Sequence, residues 1–233
     1  MSGGDELKFR IIGNTVPAVE VYFEHVGEEM ITQSGGMVWM SDGISMSTDT
    51  NGGALAGIGR MIAGESIFMA HYKAMREGST IAFATTVPGK VVPVKMKDHP
   101  NGLICQKGAF LCSQPTVKLS IEFTRNFSSG LFGGEGFVLE KLIGYGSAFL
   151  EVDGDIVEKE LGPGEIVKVD TGNVVAFQNG MPYEVETVHG FKNVLFGGEG
   201  LFLTRITGPG KVLLQTQNMK DFARSLSNKM SSN

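Results

Sequence analysis

Apolar and polar residues alternate with a period of two along several short stretches of the chain. In TVKLSIEFTR (116–125), Val117, Leu119, Ile121 and Phe123 alternate with Lys118, Ser120, Glu122 and Thr124, which is the pattern of a strand with one buried face. VEVYFE (19–24) does the same. In FLEVDGDIVEKEL (149–161) the Asp153-Gly154 pair separates two strand-like runs and predicts a hairpin closed by a type I′ turn. Helical spacing is scarce. One candidate is the glycine-weakened GGALAGIGRMIAG (52–64); the other is MKDFARSL (219–226), where Phe222 and Leu226 lie one turn apart. The final SNKMSSN reads as a frayed tail. The pattern predicts an all-β chain.

A second pattern lies over the first. LFGGEG occurs at 131–136 and again at 195–200. GGEGFVLEKLIGYGSAFL (133–150) aligns without gaps on GGEGLFLTRITGPGKVLL (197–214), and AGESIFMAHYKAMREGSTIAF (63–83) is a weaker third copy. Upstream of each copy, a glycine precedes a short apolar run: GGMVWM (35–40), KGAFLC (107–112) and TGNVVAF (171–177). Landmark glycines therefore recur as Gly36, Gly64, Gly78, then Gly108, Gly134, Gly146, then Gly172, Gly198, Gly210. A further turn and strand precede each set, as VGEEMITQ (26–33), PGKVVPVKM (88–96) and PGEIVKVD (163–170); proline and glycine are the residues that such turns favour. In the middle set, KDHPNGLI (97–104) reads as an added surface loop. Self-similarity at a fixed spacing predicts repeated supersecondary units. The expected division is 1–87, 88–161 and 162–217 for three β units, with 218–233 a short helix and tail.

Composition is consistent with that picture and narrows the partners. Glycine contributes 33 of 233 residues, about twice ordinary usage and without a collagen period, so tight turns are many. The 25 acids against 20 bases leave a net charge of -5, the wrong sign for a chain whose main partner is a nucleic-acid backbone. Two cysteines, Cys105 and Cys112, make neither a disulfide framework nor a CxxC motif. A reducing compartment follows as the expectation. MSGGDELKFRIIG lacks the basic and apolar regions of a secretory leader, and no apolar run approaches the roughly 20 residues of a spanning helix. These features predict a cytoplasmic protein without a transmembrane segment.

The sharpest chemical candidates are three Gly-Glu pairs: Gly64-Glu65, Gly134-Glu135 and Gly198-Glu199. As structure, glycine permits a tight strand entry while the carboxylate accepts backbone N–H groups left free at the turn. As function, the three acids form a catalytic or cation-binding set. A repeated corner repeats its own solution at every copy, so the structural reading is preferred, with catalytic residues, metal and cofactor all expected to be absent. His25, His71, His99 and His189 are dispersed, and His71, which follows the first Gly-Glu strand, is the most interesting of them. Cys112 in its apolar run reads as core. Trp39 and the phenylalanines of LFGG are expected in the interior, where aromatics dominate β-sandwich packing.

GESIF and GEGLF after their glycine-rich approach, DTGNVVAF, and the closing GPGKVLLQTQ (208–217) together resemble the AIM24 family over about residues 7–217. That resemblance implies tandem versions of the tryptophan RNA-binding attenuator protein fold, a β-sandwich related to double-stranded β-helices, arranged with pseudo-threefold symmetry. For eukaryotic members it implies a mitochondrial inner-membrane organising role, which does not carry over to a chain without a transit peptide. The resulting expectation is a non-enzymatic scaffold or interaction protein of this type, assembled as a closed homo-oligomer with a trimer favoured. A small-ligand-binding β module is the alternative, followed by a metal-dependent or hydrolytic enzyme using Glu65, Glu135 and Glu199.

Overall fold

Where apolar side chains alternate, or run continuously between turn residues, the chain forms strands. The computed structural model describes residues 6–33, 35–48, 69–122, 138–187 and 202–231, and these are all-β apart from one C-terminal helix and three single 3₁₀ turns. The first strands are β1 (Lys8–Ile12), β2 (Ala18–Tyr22), β3 (Glu29–Thr32), β4 (Met37–Met40), β5 (Ile44–Thr48), β6 (Ala70–Ala74) and β7 (Thr80–Ala84). Next come β8 (Gly89–Lys95), β9 (Leu103–Gln106), β10 (Phe110–Ser113), β11 (Val117–Glu122), β12 (Leu139–Gly144) and β13 (Ser147–Asp153). The last are β14 (Ile156–Leu161), β15 (Ile166–Asp170), β16 (Val174–Gln178), β17 (Tyr183–Thr187), β18 (Phe202–Thr207) and β19 (Gly210–Gln215), followed by helix α1 (Met219–Ser231).

Four antiparallel sheets result, in the orders β1-β2-β7-β4, β5-β6-β3-β10-β13-β8, β11-β12-β9-β16-β19-β14 and β15-β18-β17. One set of pairings recurs along the chain. β7 lies between β2 and β4, β13 between β8 and β10, and β19 between β14 and β16; likewise β6 lies between β3 and β5, β12 between β9 and β11, and β18 between β15 and β17. Each time, the ladder slips by one residue at the same place, between Met37 and Trp39, between Phe110 and Cys112, and between Val174 and Ala176. Such a bulge bends its strand. Two further pairings, β3 with β10 and β9 with β16, join these groups into the two six-stranded sheets.

Both faces of the β10/β13 ribbon are buried. Phe110, Ala148 and Leu150 enter a cluster with Val94, Leu103 and Leu142, while Leu111, Cys112 and Phe149 enter another with Val21, Met30 and Phe83. A third cluster gathers Val174, Phe177, Val212, Ile206 and Val169 with Ile104 and Leu139. Burial on two faces explains why GAFLC and NVVAF are continuous apolar runs rather than alternating ones. Each fully buried phenylalanine contributes about 1.5–3 kcal/mol. Phe149 also meets Phe9 edge to face, with ring centroids 4.9 Å apart, a geometry favoured by the ring quadrupoles.

Two local expectations are corrected. Asp153-Gly154 does make a turn, with Gly154 at φ +71°, but β13 and β14 are not hairpin partners. β13 pairs with β8 over seven residues and β14 with β19 over six, so the turn passes the chain between sheets. Longer ladders outcompete the two-strand hairpin. The tail is also more ordered than expected, since α1 continues through Ser227 to Ser231. Its start is fixed by Asn218, whose Oδ1 accepts the Asp221 N–H at 2.9 Å, as an N-cap should. Met96–Asp98 forms a 3₁₀ turn at the start of the inserted loop 97–104. The other helical expectation, 52–64, lies outside the described residues.

Landmark glycines Gly78, Gly146 and Gly210 sit at the corners that lead into β7, β13 and β19, Gly210 being the first residue of its strand, with φ +74°, +99° and +145°. At Gly146 a Cβ would approach Gln114 Oε1 and Thr116 Oγ1 to 2.7 and 2.8 Å, and Gln114 Oε1 already accepts the Ser147 N–H. Gly146→Ala is therefore expected to destabilise by at least ~1–2 kcal/mol in urea titration. Gly108→Ala, where nothing lies within 4 Å and φ is not positive, is expected to be neutral or to stabilise by up to ~1 kcal/mol.

Candidate interaction edges

Corresponding positions on β4, β10 and β16 have very different exposures. Leu111, Cys112 and Ser113 are 2%, 0% and 0% exposed, and Val175, Ala176 and Phe177 are all 0% exposed. Val38, Trp39 and Met40 are 49%, 44% and 38% exposed. The cause is topological. β10 and β16 each have a neighbour on both sides, whereas among the described residues β4 pairs with β7 alone. Trp39, expected in the core, is thus half-exposed at a strand that has one neighbour among the described residues.

A second edge is its complement. β3 and β9 each carry a strand of the following group, while among the described residues β15 pairs only with β18. There Ile166 is exposed and Lys168 faces solvent, its Nζ donating to Glu186 at 2.8 Å. Ile31 and Ile104, which occupy the place of Lys168 on the paired strands, are buried.

Beside β4 lies a preassembled polar cluster. Cross-strand register places Arg10, Glu20, Ala82 and Trp39 in one row across the first sheet. The buried Glu20 carboxylate accepts from Arg10 Nε at 2.7 Å and from Tyr22 Oη at 2.7 Å, with Trp39 Nε1 at 3.5 Å. Arg10 Nη2 completes a forked ion pair at 2.6 Å, and its guanidinium lies 5.5 Å from the Tyr22 ring centroid. Tyr22 and Arg10 hold the carboxyl below its ordinary range against the opposing effect of burial.

The Gly-Glu residues Gly64, Glu65, Gly134, Glu135, Gly198 and Glu199 lie outside the described residues. They fall in the connections β5 to β6, β11 to β12 and β17 to β18, each of which joins antiparallel partners. His71 Nδ1 lies 2.5 Å from Glu29 Oε1. His99, beside the 3₁₀ turn, is held below its ordinary pKa by burial. His25 is in the β2–β3 turn, with its N–H donating to Glu28, and His189 is outside the described residues. No group of three His, Cys, Asp or Glu side chains among the described residues is placed to hold a metal. Cys112 is fully buried, as expected, and so is Cys105; burial pushes both thiols well up, away from the reactive thiolate. A small, partly open crevice beside α1, lined by Val87, Pro88, Asp153, Gln217, Met219 and Phe222, has a volume of about 30 Å³, room for no more than a few waters. No helix among the described residues is long and apolar enough to cross a membrane.

One buried acid escaped the sequence reading. Glu140 on β12 has no exposed surface. Its Oε1 accepts from Gln33 Nε2 at 2.7 Å across the β3/β10 junction, and its Oε2 is buried without a partner among the described residues. The faint signal was LEKL, in which Glu140 and Leu142 share a strand face.

Known proteins match this chain over nearly its whole length. The family model described as "Mitochondrial biogenesis AIM24" matches residues 9–217. An uncharacterised protein of Streptococcus pyogenes serotype M6 is 32% identical over 220 residues, covering 90% of this chain and 85% of that protein. The crystal structure of a Streptococcus pyogenes protein superposes with a TM-score of 0.78 at 27% identity, covering 96% of this chain and 100% of that one.

Glu140 generates a pH prediction. Burial raises its pKa in the folded chain, against the lowering effect of Gln33, so the native state binds this proton more tightly than the unfolded state does. Stability is then highest below the ordinary carboxylate range and falls as pH rises through the raised value. Glu140→Gln removes this contribution. Urea unfolding at pH 5 and pH 8 is expected to show a smaller loss of stability at pH 8 in the variant. Glu151 and Asp153, also raised by burial, retain part of the slope.

Proposed function

The chain belongs to the AIM24 family, and from that premise we propose that it is a non-enzymatic interaction scaffold, acting through a rigid β body assembled as a closed homo-oligomer. The observation that carries this reading is the contrast between the exposed Val38, Trp39 and Met40 and their buried counterparts on β10 and β16. An apolar strand edge left open in a monomer is an aggregation hazard, and a partner removes it. The recurrent pairings and bulges support a division into three tandem units of the tryptophan RNA-binding attenuator protein type, related by a pseudo-threefold. In this division β14 joins the third unit, because it pairs with β19, and the boundary moves from 161/162 to the turn at Gly154. The Gly-Glu pairs are then repeated corners, and the protein has no catalytic set, cofactor or nucleic-acid ligand. Two free, buried cysteines favour a cytoplasmic setting.

Light scattering coupled to gel filtration tests the assembly. At micromolar concentration the mass is expected to be a whole-number multiple of 24.9 kDa, with three copies favoured. A monodisperse monomer would refute the assembly. Thermal-shift screening against metabolites and divalent metals is expected to leave Tm unchanged; a saturable rise would favour the small-ligand alternative.

A further inference from the structure

We propose that the seam between β3 and β10 is a proton-controlled joint, closed while Glu140 is neutral and opening to water when Glu140 is charged, so that one buried acid decides how often the inner face of β10 meets solvent. The joint lies within a single copy of the chain and does not draw on the oligomeric reading.

Two strand pairings join the groups of this chain, and they are unlike. β9 meets β16 over three opposed pairs, Leu103 with Gln178, Ile104 with Phe177 and Cys105 with Ala176. Of these six side chains all but Gln178 are apolar and buried. β3 meets β10 at one pair, Ile31 with Ser113. Two side-chain hydrogen bonds reinforce it: Thr32 Oγ1 donates to the Leu111 carbonyl, and Gln33 Nε2 donates to Glu140 Oε1. Packing of Leu111, Cys112 and Phe149 against Val21, Met30 and Phe83 holds this seam shut from one side. From the other side it is closed over a carboxyl group. A short ladder above a buried acid is the one that local opening separates first.

Glu140 has no exposed surface, and among the described residues its Oε2 is buried without a partner. Its neighbours offer little to balance a charge. In its row across the sheet, Ile121 stands opposite on β11 and Cys105 opposite on β9. The Cys105 thiol is kept neutral by its own burial. Lys107, in the 3₁₀ turn Lys107–Ala109, is exposed and acts from the surface. Burial raises the carboxyl above its ordinary range, against the lowering effects of Gln33 and Lys107. A neutral carboxyl leaves one polar atom unmatched there, whereas a carboxylate leaves a charge, which is far more costly to bury. Gln33 is the lid over it. Separating β3 from β10 carries Gln33 away and lets water reach both oxygens.

The sign follows from linkage. The closed seam binds the Glu140 proton more tightly than the open one, so opening becomes more frequent as pH climbs from the ordinary carboxylate range through the raised value, and levels off above it. Cys112 reports the opening, because it lies on the inner face of β10 and is inert while covered. Proton release at Glu140 is thereby coupled to exposure of a thiol.

Reaction of Cys112 with a dipyridyl disulfide, located by peptide mass spectrometry, tests the joint. Its protection is the rate in strong denaturant divided by the rate in the native protein at the same pH, which removes the thiol's own pH dependence. In the wild type, protection is expected to fall by about fivefold or more between pH 5 and pH 8. Glu140→Gln, which keeps the shape and removes the charge, is expected to hold it constant, and Glu140→Met serves the same purpose if the first variant does not fold. Added urea separates a local joint from unfolding of the whole chain: wild-type labelling at pH 8 is expected to rise with urea much less steeply than global unfolding does. Constant protection in the wild type overturns the proposal, with or without a folded variant. So does an equal fall in a folded Glu140→Gln protein, or a urea slope equal to that of global unfolding.

Discussion

Unpaired strand edges govern this molecule. A β ladder leaves a row of donors and acceptors on each outer strand, and these cannot be buried without a partner. Within the chain the solution is to hand one group's outer strand to the next group, which makes two six-stranded sheets out of what would otherwise be four short ones. Burial follows from that pairing. Once β10 lies against β3, both of its faces are covered, and Phe110 and Leu111 go into different cores. The hydrophobic contribution of those side chains depends on the edge contact that brings them there. Val38 shows the converse, since an apolar residue at the same bulge stays half in water where the strand has one neighbour among the described residues.

The sequence revealed the periodic parts well. Alternation in 116–125 placed β11, and the spacing of Gly78, Gly146 and Gly210 located three corners that all need positive φ. What it obscured was long-range partner choice. DG between two extended runs is a strong local hairpin signal, yet β13 and β14 sit in different sheets because β8 and β19 offer longer ladders. Nothing within residues 149–161 encodes that competition. Trp39 was misplaced for a related reason: MVWM, GAFLC and NVVAF look alike as strings, and only the count of neighbouring strands separates an exposed strand from a buried one. Glu140 was overlooked because a glutamate in a half-polar strand ordinarily faces solvent, and Gln33, 107 positions away, is what receives it.

The three Gly-Glu pairs, prominent as letters, lie outside the described residues, and the open strand edges among the described residues lie elsewhere, on strands whose sequence looks ordinary. Repetition concentrates attention on whatever recurs. Function in a repeated architecture can instead reside where the repetition stops, because the terminal copies are the ones with a surface left to offer.

The cluster around Glu20 bears on how readily such a surface could be covered. A carboxylate on a docking face normally sheds its water when the partner arrives, and that loss opposes binding. Here Arg10 and Tyr22 have already taken the place of solvent at its Oε2, so that oxygen is dehydrated when the chain folds. A partner arriving at this face would meet dipoles fixed in advance.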